Sequence, residues 1–361
     1  MKILDRYLLR NMFFGFIAAA ALLLPLFSAL DLVKELDDIE EGGYRLIQAV
    51  EVVMMTLPRR VVELAPFIAL LGGIAALGQL AMTHELSVLR AAGVSVIRIS
   101  LTTLLAGVIL AALVSLIDEF AASPLQQKAL QIRAQALALT DRDKTDEDQS
   151  LWARRENDYA RINRLRGDRV PTRLEIFSFD DNQHLKQYIS AEYAEIREGR
   201  AWLLHNTWVK TWEAEHETSQ HVDTMPWTSI FPETRLNEIS FPPESFSARQ
   251  LDHYIHFLQD TRQPAGQYQV ALWQKLGTPV LTLAMILFAV PFAFSQTRSS
   301  GLGSKLSIGA ITGLLIYMAN SIIASLGILY KLNPILVGTL PATFMLGVAM
   351  LLVTRFDRGK A

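Results

Sequence analysis

Few residues in this chain are spaced for covalent chemistry, and the one stretch with a design of its own is 83–98, THELSVLRAAGVSVIR. Leu86 and Leu89 lie three apart, Glu85 and Arg90 carry opposite charges, and Gly93 can end a helix in a left-handed cap. That pattern predicts a short helix lying along a surface and presenting a carboxylate to a partner. Six histidines fall in the middle of the chain (His184, His205, His216, His221, His253 and His256), and none sits in an HExxH arrangement. His216 and His221, with Glu215 and Glu217, are residue types that a metal takes, but a solvated loop uses the same residues more often. His253 and His256 are i,i+3 on a helix and read as surface. Gly301-Leu302-Gly303-Ser304-Lys305 lacks the spacing and the preceding strand of a phosphate-binding loop and reads as a flexible turn. No nucleophile–base or paired-carboxylate arrangement emerges. No catalytic, metal or cofactor site is therefore assigned, and any uphill transport needs a nucleotide hydrolysed by another chain.

The elements that must position residues 83–98 are long apolar runs. Six stretches suit a hydrocarbon core about 30 Å thick: 12–32, 61–82, 99–117, 270–294, 306–329 and 336–354. Residues 46–56 are apolar but too short to cross, so they extend the second span, with Pro58 as a kink. The run 12–32 follows Lys2, Arg6 and Arg10 yet exceeds a signal h-region, and it reads as a retained first span. Basic residues cluster on one side: Lys2, Arg6 and Arg10; Arg90 and Arg98; Arg298 and Lys305; Arg355, Arg358 and Lys360. The positive-inside rule places that side, with both termini, in the cytoplasm. The spans carry few ionisable residues, Glu63 being the main one, which argues against an ion-driven pump. Gly309 and Gly313, four apart, allow another helix close.

Three blocks result: 1–118 with a surface helix near 83–94, a polar block 119–267, and 268–361. Residues 123–139 read as helix and 140–150 as a charged linker. From Leu151 the period changes to two, with turn signals at 166–168, 180–182 and 198–199, so the block reads as a β-sandwich or an open jelly-roll-like domain. Its strands end near Phe241-Pro242-Pro243. Trp202, Trp208, Trp212 and Trp227 fill its core or line an acyl-chain pocket, the former being the commoner use. Ser247 and Gln250 form a capping box for a helix that stops before Pro264. The fold class is thus an α-helical membrane protein of six spans with an all-β domain between the third and fourth. A net charge of −2 argues against nucleic acid as a partner, and the absence of Cys removes disulfides and thiolate metal sites.

The chain resembles the lipopolysaccharide-export permeases along nearly its whole length. The motif that carries this is Glu85-Leu86 through Arg90-Ala91-Ala92-Gly93-Val94-Ser95, preceded by Leu77-Gly78-Gln79-Leu80-Ala81. The opening Leu4-Asp5-Arg6-Tyr7 and Leu151-Trp152-Ala153 look more like the G-type subunit than the F-type. The resemblance implies a bacterial inner-membrane protein with a periplasmic β domain, paired with an F-type subunit on a cytoplasmic ATPase dimer that uses ATP and Mg2+. It also implies a single-span C-type bridge subunit and a periplasmic bridge protein that receive lipopolysaccharide. By the same resemblance Glu85, Leu86, Leu89 and Arg90 couple to the ATPase; Lys34, Arg133, Arg298 and Tyr317 meet lipid; and spans one and five form lateral gates. One departure stands out: the outer end of span one reads Asp31, Lys34, Glu35, Asp37, Asp38, Glu40, Glu41, with a single basic residue. Either Arg45, Arg59, Arg60 and the partner supply phosphate contacts, or divalent cations bridge two negative surfaces. Rival readings are a mechanotransmitting permease, whose outer domain would follow span one, and a membrane scaffold.

Overall fold

The structure, a computed structural model, describes residues 3–39, 44–140, 151–166, 170–180, 184–196, 201–213, 216–231, 241–260, 263–294 and 302–358. Two compact units form. One comprises Met1–Thr140, Pro243–Asp252 and Gly266–Ala361; the other comprises Asp141–Pro242 and His253–Ala265.

The helical unit opens with α1 (Ile3–Asp37), α2 (Leu46–Met82), the short α3 (Glu85–Ala91) and α4 (Val96–Ile117). A π-helical turn, Asp118–Ala122, leads without a break into α5 (Ser123–Thr140). After the β domain come α6 (Ala248–Asp260), α7 (Gly266–Phe294), α8 (Leu302–Leu329) and α9 (Pro334–Arg358). Among the described residues six helices are long and apolar enough to cross a membrane: α1, α2, α4 with its continuation, α7, α8 and α9. Residues 46–56 are the first turns of α2, which continues through Pro58 and Pro66. Burial is uneven. In the apolar windows of α2 and α7, 72% and 67% of residues are buried, against 17% in both α1 and α8. The chain therefore supplies a two-helix hub and leaves two helices with broad apolar faces.

Small residues set how closely these helices approach. A Cβ on Gly72 would lie 2.8 Å from the Gly15 backbone, so α1 and α2 meet backbone to backbone. Gly309 and Gly313 let α2 side chains reach the α8 backbone: a methyl there would meet Ile74, and Leu70 and Phe67, all on α2. The expected close approach is thus made within the chain. The capping box also forms. Ser247 Oγ accepts from the Gln250 amide at 3.3 Å, and Gln250 Oε1 accepts from the Ser247 amide at 2.9 Å.

The second unit is a six-stranded antiparallel sheet in sequential order: β1 (Leu151–Arg155), β2 (Asp158–Arg166), β3 (Val170–Phe179), β4 (Leu185–Ile196), β5 (Ala201–Glu213) and β6 (His216–Thr228). The described strands form one open sheet, each pairing only with its neighbours in sequence, rather than two packed sheets. One face buries Ile162, Leu174, Ile176, Ile189 and Leu204. The ladder skips the pairs Asn163/Arg173 and Glu192/Asn206, and Arg173 and Asn206 adopt left-handed φ of 51° and 52°. Inward alternation shifts there, from Ala191 to Ala194 and from Thr207 to Leu204, so a strictly two-residue period would misplace the end of the core. Trp202 is core, stacked on Phe231 at 5.7 Å, and Trp227 packs beside it. Trp208 is half exposed on the other face and lines no core. The last described strand ends at Thr228 rather than near Phe241, and residues 232–240 lie outside the described set. The linker 141–150 lies there too, as do the expected turns, wholly or in part.

Candidate functional site

Two polar centres stand on the helical unit, one beyond the C-terminal end of α2 and one partway along it, around Arg60. From Arg60 to Met82 is 22 residues, roughly 33 Å of helix, so they are about a hydrocarbon thickness apart.

The first centre is the α3 turn. A seven-residue helix is too short to be stable alone and must dock. Leu86 provides the anchor, and it corrects the expectation that this residue faces a partner: it is 2% exposed and packs into the chain's own helical core. Leu89 packs partly buried against the same core, and the Arg90 guanidinium lies 6.0 Å from the centre of the Phe294 ring on α7. The apolar side chains that point outward are Met82 and Val88. Both ends of α3 turn through left-handed residues, His84 at φ 64° and Gly93 at φ 84°, the latter as the glycine forecast. Glu85 Oε2 accepts from the Tyr7 hydroxyl at 2.7 Å, and Oε1 from the Thr83 hydroxyl at 3.0 Å. Gly303 and Lys305, expected in a loose turn, belong to the first turn of α8, and Lys305 Nζ donates to the Ala293 carbonyl at 3.3 Å.

The second centre is a cleft of about 190 Å³ lined by α1, α2 and α5 residues, among them Asp31, Lys34, Glu35, Arg59, Arg60 and Glu63. Behind it runs a charge network whose pairings the sequence does not reveal. Arg60 pairs with Asp31, and with Glu63 Oε2 at 2.5 Å. Arg59 bonds Glu63 at 3.0 Å and Asp118 at 3.3 Å. Lys275 on α7 reaches Asp118 at 2.6 Å, with side chains only 9% and 13% exposed. The π-helical turn carries Asp118, joining α2, α4 and α7 through one carboxylate.

Arg133 pairs with Glu35 at 3.2 Å and with Asp38. Tyr44 is fully buried and donates to Glu35 at 2.9 Å; burial first, then the Glu35 charge, pushes its phenol pKa above the ordinary tyrosine value, so it stays a neutral donor. Three of the acids at the end of α1 (Asp31, Glu35 and Asp38) are thus paired with Arg60 and Arg133 of the same chain. Among the described residues Lys34 has no carboxylate partner, and it is exposed at the cleft. Tyr317 lies on the Gly309–Gly313 stripe of α8, half exposed, with its ring 5.6 Å from Phe67. Arg298 lies outside the described residues.

Among the described residues no group of three or more His, Asp or Glu side chains is arranged to hold a metal ion. His221 sits on β6, a strand rather than a loop, with its ring nitrogen 2.7 Å from Asn206 Oδ1. The side chain of His216 lies outside the described set.

The sequence model of the family described as "Lipopolysaccharide export system permease LptF/LptG" matches residues 6–355. The chain belongs to the LptF/LptG family. Its similarity is end to end: the lipopolysaccharide export system permease protein LptG of Escherichia coli (strain K12) is 28% identical over 356 residues, with 98% of each chain covered. The protein of the same name from Haemophilus influenzae is 28% identical over 361 residues, again with 98% of each covered. Both polar centres of this LptF/LptG chain fall inside the matched region, as does every expected site residue.

Proposed function

We propose that this chain is a G-type permease subunit that draws lipopolysaccharide out of the bacterial inner membrane, driven by ATP hydrolysed in a separate cytoplasmic ATPase dimer. The observation that carries the reading is the family match across residues 6–355. On this reading α3 faces the cytoplasm with both termini, and the β domain faces the periplasm, in accord with the basic residues near α3. An F-type subunit completes the transport path, and a single-span C-type subunit and a periplasmic bridge protein carry the lipid onward. The chain itself binds no nucleotide and no cofactor.

The exposed faces of α1 and α8 support a lateral path. Phe14, Ile17, Leu22 and Leu26 on α1, and Ile311, Leu315 and Ile322 on α8, are each more than half exposed. Such faces suit acyl chains or a second permease subunit. Lys34 is the cation best placed for a lipid phosphate, because Arg60 and Arg133 already hold carboxylates. For Arg133, phosphate binding means exchanging Glu35 and Asp38 for the ligand. This arrangement favours direct phosphate contact at Lys34 over divalent bridging.

Photo-crosslinkers test the path. Probes at Lys34 and Tyr317 are expected to trap lipopolysaccharide in membranes, and a probe at Lys331 is not. Equal labelling at all three would reject the assigned faces. A topology reporter after Arg90 should read cytoplasm and one within residues 141–150 periplasm; the reverse would invert the arrangement.

A further inference from the structure

The Tyr7–Glu85 hydrogen bond joins residues 78 apart and ties the first turns of α1 to the start of α3. Around it, α1 is held at its beginning. Leu8, Leu9 and Met12 are buried in the helical core, and Asp5 accepts from the Thr102 hydroxyl at 3.4 Å. Farther along, Ile17, Leu22, Leu26 and Leu30 are exposed. Phe16 and Ala19 stay buried, and Asp31 and Glu35 tie the far end to Arg60 and Arg133, so the helix is held at both ends with an apolar face exposed between them. The α3 segment lies between two left-handed residues, His84 and Gly93.

Glu85 receives one donor on each carboxylate oxygen, Tyr7 on Oε2 and Thr83 on Oε1. A carboxylate offers about four acceptor positions. A cationic or amide donor from outside can therefore join without displacing Tyr7, and the link to α1 persists while α3 is engaged. Thr83 caps the end of α2, where its amide donates to the Gln79 carbonyl at 3.0 Å, so it links α3 to α2 rather than to α1. Tyr7 is the residue by which this carboxylate reaches α1.

We propose that Tyr7 is a positioning residue for transport: its hydroxyl, donating to Glu85, carries displacement of the α3 turn into α1 and so moves the exposed face of that helix. The inference rests on the reading of α3 as the contact for a partner ATPase, and it adds the element that the contact drives.

The test uses the full permease–ATPase assembly in lipid vesicles, with Tyr7→Phe, Glu85→Ala and the double variant. Tyr7→Phe keeps the ring and removes only the hydroxyl. Three quantities are read: ATPase retained on the permease, lipopolysaccharide released per ATP hydrolysed, and the ATP-dependent change in distance between labels at Leu26 on α1 and Met54 on α2. Tyr7→Phe is expected to retain the ATPase, to lower release per ATP about five- to tenfold, and to shrink the α1 displacement in parallel. In the Glu85→Ala background the same change should add nothing, since the acceptor is already gone. Wild-type displacement and release per ATP in Tyr7→Phe, with Glu85→Ala uncoupled, would overturn the role of Tyr7 alone. Wild-type behaviour in Glu85→Ala as well would overturn the coupling reading and this inference with it. An equal loss from Tyr7→Phe in the presence and absence of Glu85 would mark the tyrosine as a general structural residue and reject the link.

Discussion

Replacing Lys275 by Met is expected to destabilise the helical unit by about 3–5 kcal/mol, because it leaves Asp118 short of a partner in a largely buried site. The network holds three acids, Asp31, Glu63 and Asp118, against three bases, Arg59, Arg60 and Lys275, with Lys275 contacting Asp118 at 2.6 Å. Without Lys275, Asp118 is left with Arg59, which it shares with Glu63. Thermal unfolding in mild detergent measures the effect, with an expected fall in Tm of about 10 °C. The double variant Lys275→Met, Asp118→Leu should recover most of the loss, since an apolar pair of similar volume removes the buried charges together. A Tm for Lys275→Met within about 2 °C of wild type would show that the network is solvated and contributes little.

The second large effect is at Glu85. A charge-assisted hydrogen bond contributes roughly 1.5–3 kcal/mol, so Glu85→Ala should weaken ATPase association about ten- to a hundredfold. Folding should survive, because the carboxylate lies at the surface and its lost partners, the hydroxyls of Tyr7 and Thr83, can turn to water. Glu85→Lys should weaken it further by opposing the partner's donors with like charge. Position 86 now separates folding from docking. Leu86→Asp buries a carboxylate in the chain's own core and should lower the yield of folded protein, whereas Val88→Asp, 66% exposed in the wild type, should fold and lose affinity. Pull-down of the ATPase with folded Glu85→Ala at wild-type strength would remove α3 as the coupling element.

Much of the architecture was legible because it obeys local rules. Span lengths follow from apolar runs and bilayer thickness. The Ser247–Gln250 box, the left-handed Gly93 and the glycine stripe on α8 are each set by residues at most four apart. The network was not legible for the opposite reason. Lys275 and Asp118 are 157 residues apart in sequence, and a lone lysine in an apolar run gives no sign of its partner. Arg60 with Asp31 and Arg133 with Asp38 are likewise long-range pairs, so an end of α1 that reads as acidic has three of its described acids paired within the chain. The direction of Leu86 was hidden differently. An i,i+3 leucine pair shows that a short helix has an apolar face, but not whether its own chain or a partner covers it. In the sheet, period two located the strands but could not show the left-handed breaks at Arg173 and Asn206 that shift the inward face.

The most direct measurement of the central claim is release of lipopolysaccharide from vesicles that contain the purified permease pair, its ATPase and a soluble periplasmic acceptor. The account predicts that lipid passes to the acceptor only when ATP and the ATPase are both present. It further predicts that release falls at least tenfold with Lys34→Glu, which repels the lipid phosphates, while ATP hydrolysis continues. Release that proceeds without the ATPase, or an isolated chain that moves lipid while binding neither ATPase nor a second permease subunit, would contradict it.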